Sequence, residues 1–224
     1  LMHAAPGRPA GLLLPVLALL INALTWGLSW WPFRWLEARG LHALWAMVLI
    51  YALAVVVIGL WRPGAFARLL RSPSLWWLVL ASGTTNASFN WAVTLGDVVR
   101  VVLLFYLMPL WAVLLSRALL GERLTRPAAL RVALALGGAV AVLWPVDGGW
   151  PLPRTLADGL GLLGGFSFAL NNVLLRREAA APEEARALAM FFGGVTVSLL
   201  LALAQLAAGR NAPPPPADAA WLPA

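Results

Sequence analysis

Residues 97–125 read DVVRVVLLFYLMPLWAVLLSRALLGERLT. Arg100 and Arg117 bracket an uncharged apolar run that contains Pro109, and a Gly-Glu-Arg turn follows. Such a run crosses a bilayer if both arginines extend their charged heads toward the headgroups. Six further uncharged stretches have the same character: residues 11–33, 41–61, 72–96, 132–146, 159–175 and 187–209. A membrane helix needs about 20 residues, so the shorter runs borrow flanking residues. Helices are predicted over 11–33, 41–61, 74–95, 98–119, 128–146, 157–176 and 185–208. The sequence specifies an all-α, polytopic transmembrane helix bundle.

Composition agrees. Apolar residues make up 62% of the 224 and charged residues 11%, with a mean hydropathy of +0.83; soluble domains carry about 25% charged residues. All 16 basic residues are arginines, and they lie between the apolar runs instead of forming one patch. That placement excludes a nucleic-acid surface and carries topology. With a cytoplasmic N-terminus, 11 arginines fall inside and 5 outside (Arg34, Arg39, Arg100, Arg154 and Arg210), so the bias predicts that orientation. The first run lacks a small-residue cleavage pattern and continues into Trp30, Trp31 and Pro32, so it reads as a retained helix. Trp61, Trp76, Trp77, Trp144 and Trp150 sit near predicted helix ends, at headgroup level.

Several chemistries are absent. There is no cysteine, and the two histidines are His3 and His42, so neither a disulfide nor a clustered His/Cys metal site is expected. No Asp, Glu or Lys falls in the middle of a predicted span, which leaves no proton relay there. No glycine-rich loop ends in lysine to hold a nucleotide. Ser29, Ser88, Ser116 and Ser167 have no partner to activate them as nucleophiles. The expectation is a protein that is not an enzyme and uses no cofactor or metal.

An internal repeat is visible at an offset of 142, which sets Trp26, Leu28 and Arg34 opposite Phe168, Leu170 and Arg176. The unit is five helices long, and an odd count inverts the second copy about an axis in the membrane plane. The expected organisation is residues 1–146 as a first five-helix repeat and 147–224 as a partial second. The second holds helices six and seven, then the proline run 213–216 and Trp221.

The intramembrane polar and aromatic residues mark a candidate site. Asn22, Asn86, Asn90 and Asn171 are amides within predicted spans, and Asn86 and Asn90 share a helix face. Trp26, Trp30, Phe105, Tyr106 and Phe168 could wall an aromatic cavity beside them. The alternative for each is interhelical packing, where such polar contacts average about 0.6 kcal/mol. Arg100 reads either as a local partner of Asp97 or as an outer gate. Pro109 deprives the Phe105 carbonyl of its donor and predicts a mid-helix kink that could serve as a hinge. Gly27, Gly164, Gly165, Gly193 and Gly194 read as close helix contacts.

Taken in order, Asn22 to Trp30, Val98-Val99-Arg100, Leu104 to Trp111, Leu120 to Thr125, and Asn171-Asn172 with Arg176-Arg177 resemble the EamA-type ten-helix branch of the drug/metabolite transporter superfamily. The likeness is greatest to bacterial exporters of aromatic amino acids. The resemblance implies two inverted five-helix repeats, an inner-membrane location and a central cavity open alternately to each side. It also implies export of aromatic or large neutral amino acids, with the bilayer as the other partner. The sequence has no counterparts of helices eight to ten and leaves the oligomeric state open. A non-transporting membrane scaffold, and an exporter of another metabolite or drug, stay open beside this reading.

Overall fold

The computed structural model describes residues 10–123, 125–144 and 153–211. The expected boundary between residues 146 and 147, Trp150, the proline run 213–216 and Trp221 lie outside them. The described residues form ten helical segments: α1 (Ala10–Leu28), α2 (Trp30–Glu37), α3 (Ala43–Trp61), α4 (Gly64–Arg71), α5 (Pro73–Leu95), α6 (Val98–Phe105), α7 (Met108–Leu120), α8 (Arg126–Leu143), α9 (Leu156–Arg177) and α10 (Glu183–Ala207). The molecule is an all-α, polytopic membrane helix bundle.

Four stretches are long and apolar enough to cross a membrane by length and composition: Leu13–Glu37, Ala43–Trp61, Val98–Leu120 and Glu183–Ala207. The other three expected spans are also helical. Of these, α5 and α9 carry too many amides, hydroxyls and glycines to reach that hydropathy alone. Burial explains the difference. α5 packs along α9 and α10, and nearly all its residues from Leu78 to Val93 are buried, so it presents polar groups to neighbours instead of to lipid. Among the described residues, 13–25 of α1 are all exposed.

Three details depart from the sequence reading. The first span is interrupted at Ser29, because Pro32 cannot donate to the Leu28 carbonyl and the Ser29 hydroxyl donates to the Trp26 carbonyl at 3.0 Å. The connection between the second and third spans contains a helix, α4, which buries Ala65 and Leu69 and directs Arg68 to Glu184 on α10. The fourth span is broken instead of kinked. Tyr106 and Leu107 leave the helix, and Pro109 falls in the first turn of α7, where its missing N–H costs nothing.

The termini of the helices show why they stop where they do. Gly121, at φ +68°, ends α7 in the left-handed conformation that glycine adopts freely, and the Glu122 N–H reaches back to the Ser116 carbonyl. Thr155 and Asp158 form a reciprocal capping box at the start of α9. Arg34 donates to the Val93 carbonyl at 2.7 Å and to the Gly96 carbonyl, covering the C-terminal end of α5 with a cation. Trp61, Trp77 and Trp144 are exposed near helix ends, where an aromatic ring suits the membrane interface.

Candidate functional site

A stripe on α5 builds the site. Ser82, Thr85, Asn86 and Phe89 recur at helical spacing and line one cavity of about 590 Å³. α1 and α2 add Asn22, Trp26, Gly27 and Trp30, while α6 and the break after it add Phe105 and Tyr106. α9 supplies Phe168, Asn171 and Asn172, and α10 supplies Met190. Among the described residues, none that lines the cavity is Asp, Glu, Lys, Arg or His.

Four aromatic rings pack edge to face or tilted at its wall. Phe89 lies 4.9 Å from Phe105 and 5.7 Å from Trp26, and Phe168 lies 5.4 Å from Phe105, centroid to centroid. These distances suit quadrupole-favoured aromatic pairs. They join α1, α5, α6 and α9 in one patch. Next to it runs a polar chain: the Tyr51 hydroxyl donates to Asn86 Oδ1 at 2.6 Å, Asn86 Nδ2 donates to the Ser82 carbonyl at 2.9 Å, and the Ser82 hydroxyl donates to the Met190 carbonyl at 3.1 Å. Tyr51 therefore fixes which end of the Asn86 amide meets the cavity. Replacing Tyr51 by phenylalanine is expected to cost about 1 kcal/mol, read as a lower melting midpoint in detergent. The same change in an N86A background should cost less, because the acceptor is already gone.

Asn171 is buried at the cavity wall and its Oδ1 has no hydrogen-bond partner. A buried unmet acceptor is costly, which sets Asn171 apart among the amides at this cavity. The structure thus brings Asn22, Trp26, Trp30, Asn86, Tyr106, Phe168 and Asn171 to one cavity. Asn90 is not with them. It sits one turn beyond Asn86, where its Nδ2 donates to the Asn86 carbonyl at 2.9 Å and its Oδ1 is buried without a partner.

Asp97 caps α6 by accepting the Arg100 backbone N–H at 2.8 Å. The guanidinium goes to Asp158 on α9, with Nε–Oδ1 at 2.7 Å and Nη2–Oδ2 at 3.1 Å. Gly27 is also corrected: it lines the cavity and touches nothing across a helix interface. Gly164, Gly165, Gly193 and Gly194 are at close contacts, as their sequence reading holds. Gly165 bears on the break itself. A Cβ there would lie 2.5 Å from the Phe105 carbonyl oxygen, the oxygen that Pro109 leaves without a helical donor. Ser82, Thr85, Phe89 and Met190 are lining residues that the sequence reading missed; the first three were visible as a helical stripe on either side of Asn86.

The multi-pass bundle thus holds a cavity walled by amides, hydroxyls and aromatic rings. Residues 13–144 match the EamA-like transporter family, and the chain belongs to that family. It is 31% identical over 122 residues to the chloramphenicol-sensitive protein RarD of Pseudomonas aeruginosa. The aligned part is 50% of this chain and 40% of that protein, so the chain spans well under two thirds of the curated relative it matches.

Proposed function

We propose that the chain contributes to a secondary transporter in a bacterial inner membrane that exports amino acids, aromatic or large neutral ones, by alternating access. In this reading the N-terminus is cytoplasmic, residues 1–146 and 147–224 belong to two inverted repeats, and the protein performs no covalent chemistry. The observation that carries the proposal is the uncharged cavity, whose described walls combine four rings packed edge to face or tilted with amides on α1, α5 and α9. Rings accept a flat side chain by edge-to-face packing. Asn22, Asn86 and Asn171 can bond both ends of a zwitterion, whose opposite charges need no full counter-charge from the protein. Arg100 on α6 and the break before Pro109 are the gating elements of this reading.

A neutral aromatic solute, such as a drug, is the second reading, favoured by the lack of Asp, Glu, Lys, Arg or His among the described lining residues. Flux into vesicles containing the purified chain separates the two. Labelled phenylalanine should move down its gradient, and N171A should lower the initial rate about tenfold with little loss of folded protein. Competition by chloramphenicol but not by excess tryptophan would favour the neutral solute. Equal phenylalanine flux in N171A and the parent would remove Asn171 from the site, and no flux of either solute would favour a scaffold.

A further inference from the structure

A second cavity of about 350 Å³ lies between α6 and α8. Its walls are Leu103 and Tyr106 on one side and Leu134, Ala135, Gly138, Ala139 and Val142 on the other, so the Tyr106 hydroxyl is the one side-chain polar group among them. Leu134 and Val142 are 67% and 62% exposed, which puts the mouth of this crevice on the surface that faces hydrocarbon in a membrane. Tyr106 lines both cavities. It also occupies the interruption between α6 and α7, where regular helical bonding stops; its N–H goes to the Val102 carbonyl, and the next N–H shortens to the Leu104 carbonyl. A ring at such a break can swing without unwinding a helix.

The geometry points to a lateral port: the α6/α8 crevice admits the alkyl or aryl tail of a single-chain amphiphile dissolved in the bilayer and passes it beside Tyr106 into the central cavity. An apolar crevice gives an ion or a hydrated sugar no compensation for lost water, whereas an apolar tail moves between two equivalent environments. Open space lies beside Gly138, where a Cβ built on it would meet nothing within 4 Å, so a bulky side chain there can extend into the crevice. The inference deepens the reading of the cavity as a solute chamber by naming how amphipathic solutes reach it.

The chain has no cysteine, so a single introduced thiol reports access directly and without measuring flux. Thr85 lies on the buried face of α5 and lines the central cavity. In lipid vesicles, the T85C variant should react with N-dodecylmaleimide supplied through the bilayer. Adding G138W should slow that reaction at least fivefold, and G137W, one residue away and outside the crevice lining, less than twofold. Reaction with a water-soluble sulfonated methanethiosulfonate should be the same in all three. L134W plugs the crevice from one turn earlier and serves if G138W does not fold. Unchanged alkyl labelling in both plugged variants would overturn the port, as would equal slowing of both reagents. Failure of T85C to react with the alkyl reagent, while a thiol at Leu134 does, would show a closed crevice. Equally fast labelling by a diacyl phospholipid with maleimide at one chain end would make the crevice a lipid groove and overturn the solute port. Failure of phenylalanine flux leaves this measurement standing, so the port and the transporter reading fail separately.

Discussion

Replacing Gly193 with alanine is expected to remove about 3 kcal/mol or more of stability, the upper part of the range for overpacking. A Cβ at this position would lie 2.1 Å from the Val79 carbonyl oxygen and 2.9 Å from its carbon. Both are backbone atoms, so no rotamer change relieves the contact. The reciprocal site is equally closed, since a Cβ on Gly83 would lie 2.3 Å from the Gly193 carbonyl oxygen. The strain can be relieved by moving α5 and α10 apart along one of the main contacts of the bundle. In a membrane that separation forfeits the dispersion contacts that hold helices together, because lipid is as apolar as the side chains. G137A is the matched control. Nothing lies within 4 Å of a Cβ there, and alanine favours the helix by about 1 kcal/mol. The yield of monodisperse protein and its melting midpoint in detergent should fall sharply for G193A and hold or rise for G137A. Equal midpoints for the two variants would mean that the crossing is not close-packed.

Gly193 also shows what was legible in the sequence. Paired glycines in apolar helices signal close approach, and that reading survives for Gly164, Gly165, Gly193 and Gly194. It fails for Gly27 because a glycine that opens a cavity and one that admits a backbone look alike until the neighbour is known. Helix positions were readable because hydrophobic runs and turn residues are local signals. α4 was missed since its eight residues, with three arginines just before or within them, read as a polar connection; one buried edge holding Ala65 and Leu69 was enough to make it helical. The amides pointed to the cavity, yet Asn90 lies one turn beyond Asn86 and outside the lining, with its Nδ2 on the Asn86 carbonyl. The spacing rule places Asn86 and Asn90 on one face, but a cavity that closes within one helical turn separates them. Pro109 was legible as a disturbance, though its form was not. Whether a proline kinks a helix or starts a new one depends on what receives the freed carbonyl. Here Gly165, 60 residues away in sequence, lets α9 approach the Phe105 carbonyl at the interruption.

The same non-locality governs Arg100, whose true partner is 58 residues away. Asp158 is the more demanding half of that pair. Its side chain is 3% exposed, against 32% for Arg100, and it accepts the Arg154 N–H at 2.8 Å and the Thr155 N–H at 3.3 Å in addition to the guanidinium. Truncation to alanine in D158A therefore unpicks the start of α9 and leaves a partly buried cation without its bidentate acceptor, a loss of about 3–5 kcal/mol. R100A removes the guanidinium but leaves the carboxylate with two backbone donors, which limits its cost to about 1.5–3 kcal/mol. R100K should recover part of the difference, since an ammonium neutralises the charge without matching both oxygens. The double variant R100A/D158A should be more stable than the sum of the single changes requires, by about 1–3 kcal/mol, because the second removal takes away a group already orphaned. Thermal unfolding of the four proteins under one detergent condition gives the coupling. If R100A costs as much as D158A, the carboxylate owes its place to the arginine alone, and the capping of α9 contributes nothing to it. The pair ties α6 to α9. A rise in phenylalanine flux in R100K at unchanged folding would mark the pair as a latch, whereas unchanged flux would leave it a structural tie.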